Sequence, residues 1–175
     1  MPFRSFHQTL LCCSQARWSA HLTIATRRNI AELCAAFARQ VAADAAPTLK
    51  RAAVAIALTE GDDGNGTAFL LTRRSARLRA HSAQWALPGG RCDAGETQAE
   101  AALRELHEEL GLKLSERDVL GLLDDYPTRS GYLITPVVVW AGAHAALVPN
   151  PDEVASVHRI GLDAIELDEI GRAHV

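Results

Sequence analysis

Residues Gly90 to Leu112 read GRCDAGETQAEAALRELHEELGL, and they decide the fold because a turn, a helix and a row of carboxylates are specified together. Just upstream, Leu87-Pro88-Gly89-Gly90 is a turn whose glycines let backbone approach a ligand closely. Thr97, with Glu100 three residues on, is a capping box that opens a helix. Ala99, Ala102, Leu103, Leu106 and Leu110 supply its apolar stripe, and Gly111 is the residue expected just past its end. Glu105, Glu108 and Glu109 then fall at i, i+3 and i+4, within about 100° of arc beside that stripe. Like charges this close repel, and a row of solvated glutamates is common on helices. The glycine turn, Glu96 in the connecting loop and Arg104 placed to pair with a carboxylate favour a different reading. They suggest hard oxygen donors of the kind that suit Mg²⁺ or Mn²⁺, with water and substrate phosphate completing the shell.

The 175 residues set a prior of one domain large enough to bury a core, and 48% hydrophobic residues fit a globular chain. A net charge of −3 argues against a general nucleic-acid binder. Charge is nevertheless local, since Arg73, Arg74, Arg77 and Arg79 crowd one short segment. No apolar run reaches bilayer-spanning length, so no membrane partner is expected and the location inferred is cytoplasmic. The mitochondrial matrix or peroxisome is the alternative in a eukaryote. Cys12, Cys13, Cys34 and Cys92 lack metal-site spacing and read as reduced structural thiols.

Residues 1–28 contain no acidic residue and no sustained apolar period, so a poorly ordered N-terminal extension is expected there. Ile30, Leu33, Cys34, Phe37 and Val41 form one stripe, predicting a helix over 29–45 that ends before Pro47. Arg51 to Leu58 and Thr67 to Thr72 read as a hairpin around a Gly- and Asp-rich loop, followed by an irregular basic connection. Downstream, Val119 to Leu123 is a weak strand. Gly131 to Trp140 is a strong one in which Pro136 suggests an edge or a bulge, and Val154 to Ile160 is a further strand. Strands before and after a central helix indicate a mixed α/β domain over 29–168. Glu169 to Val175, EIGRAHV, is the translation of the start of a short-read sequencing adapter, so residues 169–175 are expected to be a library scar and the natural chain to continue beyond them.

The stretch resembles the Nudix hydrolase box, G-x5-E-x7-R-E-U-x-E-E-x-G-U, matched by Gly90, Glu96, Arg104, Glu105, Leu106, Glu108, Glu109, Gly111 and Leu112. The resemblance implies an α/β/α sandwich around a mixed β-sheet and cleavage of a nucleoside diphosphate linked to another moiety. It implies Glu105, Glu109 and Glu108 as metal ligands, with the Gly89 carbonyl added. Arg104 would orient Glu105, and Gly90, Glu96 and Gly111 would support the loop-helix motif. Either a box glutamate or a downstream loop residue can serve as general base. Leu70 to Gly90, LLTRRSARLRAHSAQWALPGG, is similar to the coenzyme A diphosphatase motif, with Ala83 and Leu87 departing from it. Asn150 to Val154 also looks like that subfamily. The implied substrate is coenzyme A or acyl-coenzyme A, giving 3′,5′-ADP and 4′-phosphopantetheine, with Arg74, Arg77 and Arg79 binding it through fork-shaped donors and Ser75 as a further binding residue. ADP-ribose, NADH or a nucleoside triphosphate is the alternative substrate, and a non-catalytic Nudix-fold binding module the alternative class. A homodimer is left open. Trp85 is read as a packing residue and His81 as a loop residue.

Overall fold

The apolar run expected as a strand is β1 (Lys50–Glu60), the spine of the sheet in a computed structural model of the chain. The structure describes residues 23–41, 48–62, 64, 66–76, 84–143 and 145–164. Arg77, Arg79, His81, Ala83, residues 1–22 and the expected 169–175 scar lie outside the described residues.

Along one edge β1 pairs in parallel register with β7 (Tyr132–Gly142), from Lys50↔Tyr132 to Leu58↔Trp140. Along the other it pairs antiparallel with β2 (Thr67–Arg74) near its end and with β4 (Gly89–Arg91) near its start. β3 (Trp85–Ala86) and β8 (Val154–Gly161) extend the sheet from β2. On the far side, β5 (Val119–Leu122) and β6 (Tyr126–Pro127) pair in succession with β7. One parallel pair among antiparallel ones makes the sheet mixed.

Alternation along β1 sends its side chains into two cores. Ala53, Ala55 and Ala57 are fully buried with Ala101, Ala102, Leu106 and Leu110 of helix α2 (Gln98–Leu110), and the small alanines let that helix lie close on the sheet. On the opposite face, Leu58 and Val138 meet Ile30 and the partly buried Cys34 of helix α1 (Ile24–Ala36). A helix on each face is the α/β/α sandwich.

Helix α2 begins at the predicted Thr97 capping box and ends at Gly111, whose φ of 70° is the left-handed cap that only glycine takes without cost. Two expectations are corrected. α1 runs from Ile24 to Ala36, not over 29–45, so the expected N-terminal extension ends earlier than residue 28. Thr23 opens it with a capping box to Thr26, a signal that apolar periodicity alone does not contain. Beyond Phe37 the chain is taken by another partner: the Gln40 N–H donates to Asp124 at 2.7 Å, and Arg39 Nε donates to the Leu123 carbonyl at 2.9 Å. Pro136 is the second correction, since it lies inside β7 opposite Val54, neither at an edge nor at a bulge. Its carbonyl accepts from Leu123 N–H at 2.9 Å, so its nitrogen faces the same side, where the partner passes from β5 to β6. The missing donor therefore leaves no ladder bond broken. Among the described residues, no helix is long and apolar enough to cross a membrane.

Candidate functional site

Arg104 organises the loop that precedes α2 and all five of its N–H donors are used. Nε donates to Glu96 Oε1 at 2.9 Å, and Nη1 to Glu105 Oε1 at 2.9 Å and Glu108 Oε2 at 3.0 Å. Nη2 donates to the Arg91 carbonyl at 2.9 Å and to Glu96 Oε2 at 3.2 Å. Glu96 in turn accepts from the Asp93 N–H at 2.8 Å, which closes the loop. These bonds favour ionised Glu96, and its carboxyl lies below the usual carboxylate range chiefly through the hydrogen bond from Arg104.

Glu105 is pulled two ways: burial raises its carboxyl and the Arg104 hydrogen bond lowers it, with burial the larger effect. Gly90 makes its position possible. A Cβ at residue 90 would stand 2.6 Å from Glu105 Cδ, so only glycine leaves room for that carboxylate against the strand. Glu109 is the most buried of the row, with its side chain 4% exposed. Burial pushes its carboxyl up to about 7, and the neighbouring charges of Glu105 and Glu153 add to that. Arg74 and a hydrogen bond from the Gly89 backbone oppose it. Glu108, 52% exposed, turns outward to Arg104.

Arg74, the last residue of β2, reaches this cluster, with Nη1 3.9 Å from Glu109 Oε1. Its Nε is buried and finds no hydrogen-bond partner among the described residues. Ser75 is buried beside it, its N–H donating to the Glu153 carbonyl at 2.8 Å. Arg74, Ser75, Gly89, Gly90, Glu105 and Glu109 are thus brought together, while Glu96, Glu108 and Gly111 stand around them in supporting positions. Trp85 is not the packing residue expected: it is 54% exposed and meets His158 edge-on, with ring centroids 4.7 Å apart.

Glu153 is the residue to which the sequence reading assigned no role. Its charge acts on both Glu105 and Glu109. The turn before β8 places it there, because Asn150 N–H donates to the Glu109 carbonyl at 2.9 Å and Asn150 Nδ2 to Glu153 Oε1 at 3.2 Å. The signal in the sequence was an acidic residue closing the Asn150-Pro151-Asp152 turn, but nothing local ties that turn to a helix forty residues earlier.

Among the described residues, no group of three or more histidine, cysteine, aspartate or glutamate side chains is gathered tightly enough to grip an ion as arranged here. Fit to a divalent cation lies in the chemistry of the donor set. Burial raises the carboxyls of Glu109 and half-buried Glu105, the charge of Glu105 adds to the effect on Glu109, Glu153 repels both, and Arg74 compensates Glu109 only partly at 3.9 Å. Hard oxygen donors with an excess of negative charge are what Mg²⁺ or Mn²⁺ neutralises.

Comparison with known proteins agrees with this geometry. The sequence model of the NUDIX domain matches residues 49–174. The chain is 44% identical over 96 residues to the uncharacterized Nudix hydrolase NudL of Pectobacterium atrosepticum, covering 54% of this chain and 50% of that one. It is 36% identical over 127 residues to the mitochondrial Nudix hydrolase 15 of Arabidopsis thaliana, covering 71% of this chain and 44% of the relative. The chain thus spans about half the length of these curated relatives. Among solved structures, the Nudix hydrolase RenU of M. smegmatis superposes with a TM-score of 0.53 at 27% identity, over 66% of this chain and 73% of that one. With the box residues in place from β4 through the loop and α2 to Leu112, and with the NUDIX domain model matching most of the chain, the chain belongs to the NUDIX family.

Proposed function

We propose that the protein is a divalent-metal-dependent pyrophosphohydrolase whose substrate is coenzyme A or acyl-coenzyme A. The observation that carries this reading is the meeting of Arg74 and Glu109. Arg74 belongs to the segment that resembles coenzyme A diphosphatases, Glu109 belongs to the Nudix box, and the Arg74 Nε is buried beside the carboxylates with no hydrogen-bond partner among the described residues. A guanidinium held at a carboxylate cluster suits a phosphate substrate, and the carboxylates would hold the cation that accompanies it.

In this reading Glu109 and Glu105 hold the divalent ion, with Glu153 beside them and Glu108 at the exposed rim. A bound divalent ion supplies a Lewis acid for the pyrophosphate oxygens and a source of activated water at neutral pH. The chain itself does the positioning. Arg104 holds the Glu105 carboxylate, Gly90 leaves it room, and Arg74 donates to phosphate oxygens as charge develops in the transition state. One phosphorus is attacked by water and the other phosphate leaves, so the products are 3′,5′-ADP and 4′-phosphopantetheine.

Incubating the full chain with coenzyme A and Mg²⁺ and resolving the products by ion-exchange chromatography tests the reading. Those two products, lost on adding a chelator, are the expected result. Cleavage of ADP-ribose, NADH or a nucleoside triphosphate with coenzyme A left intact would overturn the substrate. No cleavage of any of them would favour a binding module.

A further inference from the structure

Lys50, Arg51, Arg91, Cys92, Asp93 and Ala94 line a hollow of about 430 Å³ where β1 begins and β4 ends. Its three cations have no side-chain hydrogen bond or ion pair to another described residue. Asp93, the one acid in the lining, has its carboxylate 3.9 Å from Arg104 Nε and its N–H on Glu96. Backbone pairing brings the two strand ends together there: Arg91 lies opposite Ala52, and Cys92 N–H donates to the Arg51 carbonyl at 3.0 Å, so the long side chains of Lys50, Arg51 and Arg91 start from both faces of the sheet at its end. Three positive charges and one negative therefore share one hollow in a chain whose net charge is −3. The mutual repulsion of the cations is relieved by an anion that bridges them.

The hollow adjoins the carboxylate site through Arg104. One nitrogen of that guanidinium bonds Glu105 and the other the Arg91 carbonyl. Gly89, beside Glu109, and Arg91 are two residues apart on β4, about 7 Å along the strand. A molecule with its pyrophosphate at the carboxylates can therefore reach the hollow with a second phosphate. Arg74, the other described cation of the proposed site, is engaged with Glu109.

We infer that this hollow is a phosphomonoester subsite, in which Arg51, Arg91 and Lys50 take the dianionic phosphate carried by a substrate in addition to its pyrophosphate. Planar guanidinium forks suit such a group, and the ammonium of Lys50 adds charge without direction. The subsite deepens the proposed function by assigning the 3′-phosphate of coenzyme A. It rests on that reading for its kinetic test and not for its binding test.

Two measurements on the full chain decide it. In the first, inorganic phosphate is titrated while backbone amide shifts are followed by NMR. Saturable shifts are expected at Arg51, Arg91 and Cys92, and should disappear in the Arg51→Gln/Arg91→Gln variant. Both side chains are exposed, so the variant is expected to fold. Lys50→Gln, also at an exposed position, provides a second, milder variant. In the second measurement, kcat/KM is compared for coenzyme A and its 3′-dephospho form. The preference for the phosphorylated substrate is expected to fall about tenfold in the double variant, the scale of losing charge-assisted hydrogen bonds at an open site. Absent shifts, shifts that persist in the double variant, or an unchanged preference would overturn the subsite. If coenzyme A is not cleaved at all, the functional reading fails and the phosphate titration alone decides the subsite.

Discussion

Replacing Gly90 by alanine separates the chemistry of the site from the stability of the fold. The new Cβ would lie 2.6 Å from Glu105 Cδ, whereas non-bonded carbons settle at about 3.5–4.0 Å. The atoms in the way are the far end of a flexible side chain, so the carboxylate withdraws by about 1 Å while the backbone stays. The stability cost is the weakened bond from Arg104 to Glu105, 2.9 Å long and part-buried, or about 1 kcal/mol after solvent screening. The catalytic cost is larger, because a misplacement of about 1 Å is worth about 100-fold in rate at a positioned site. Gly89→Ala provides the contrast. There the Cβ would lie 2.7 Å from Val54 Cα and clash with the Ala53 carbonyl, atoms of β1 that cannot swing away. It is expected to cost about 3 kcal/mol, at the upper end for overpacking, with β4 displaced. Thermal melting and kcat/KM with Mg²⁺ on both variants form the assay. Gly90→Ala should melt near the wild type and turn over about 100-fold more slowly. Wild-type kcat/KM in that variant would refute the placing of Glu105 in the site. A melting loss as large as that of Gly89→Ala would refute the claim that only a side chain yields.

Other perturbations test the same geometry. Glu109 has a folded-state carboxyl raised to about 7, so without metal it costs stability progressively as pH rises from its unfolded value near 4.5 to about 7, and fully above that. Glu109→Gln is therefore expected to melt higher than the wild type at pH 8 in chelator while losing turnover; a lower melting temperature would count against the burial argument. For Glu96 the sign is opposite. Its lowered carboxyl contributes stability that is present above the unfolded carboxylate value and lost as pH falls through the folded one. Glu96→Gln should thus flatten the acid limb of a urea-midpoint profile. Arg104→Gln leaves Glu96, Glu105 and Glu108 without their shared donor, and is expected to lower stability by about 1–2 kcal/mol at this part-exposed position and turnover by much more. Asp125, buried and bonded by Thr135 at 2.6 Å and Arg39 at 2.7 Å, ties the segment after α1 to the sheet; Asp125→Ala should cost about 3 kcal/mol in urea unfolding with little change in KM.

Much of the site was legible in the sequence because its signals are local. The Thr97–Glu100 capping box, Gly111 and the spacing of Glu105, Glu108 and Glu109 all concern one helix, whose period of 3.6 residues fixes which side chains share a face. The β1–β2 pairing was equally readable from two apolar runs around a glycine-rich turn. Where α1 stops was not, because Asp124 and the Leu123 carbonyl, more than eighty residues away, compete for the backbone and side chains that would continue it. Nor was the interior place of Pro136, which depends on a partner strand that changes at that point. Composition and spacing determined the loop, the helix and the row of carboxylates. Tertiary structure alone decided which of those carboxylates are buried, that Glu153 and Arg74 face them, and that Glu108 turns away. Desolvation and charge interaction depend on distance in space, and chain spacing specifies that distance only within one regular element.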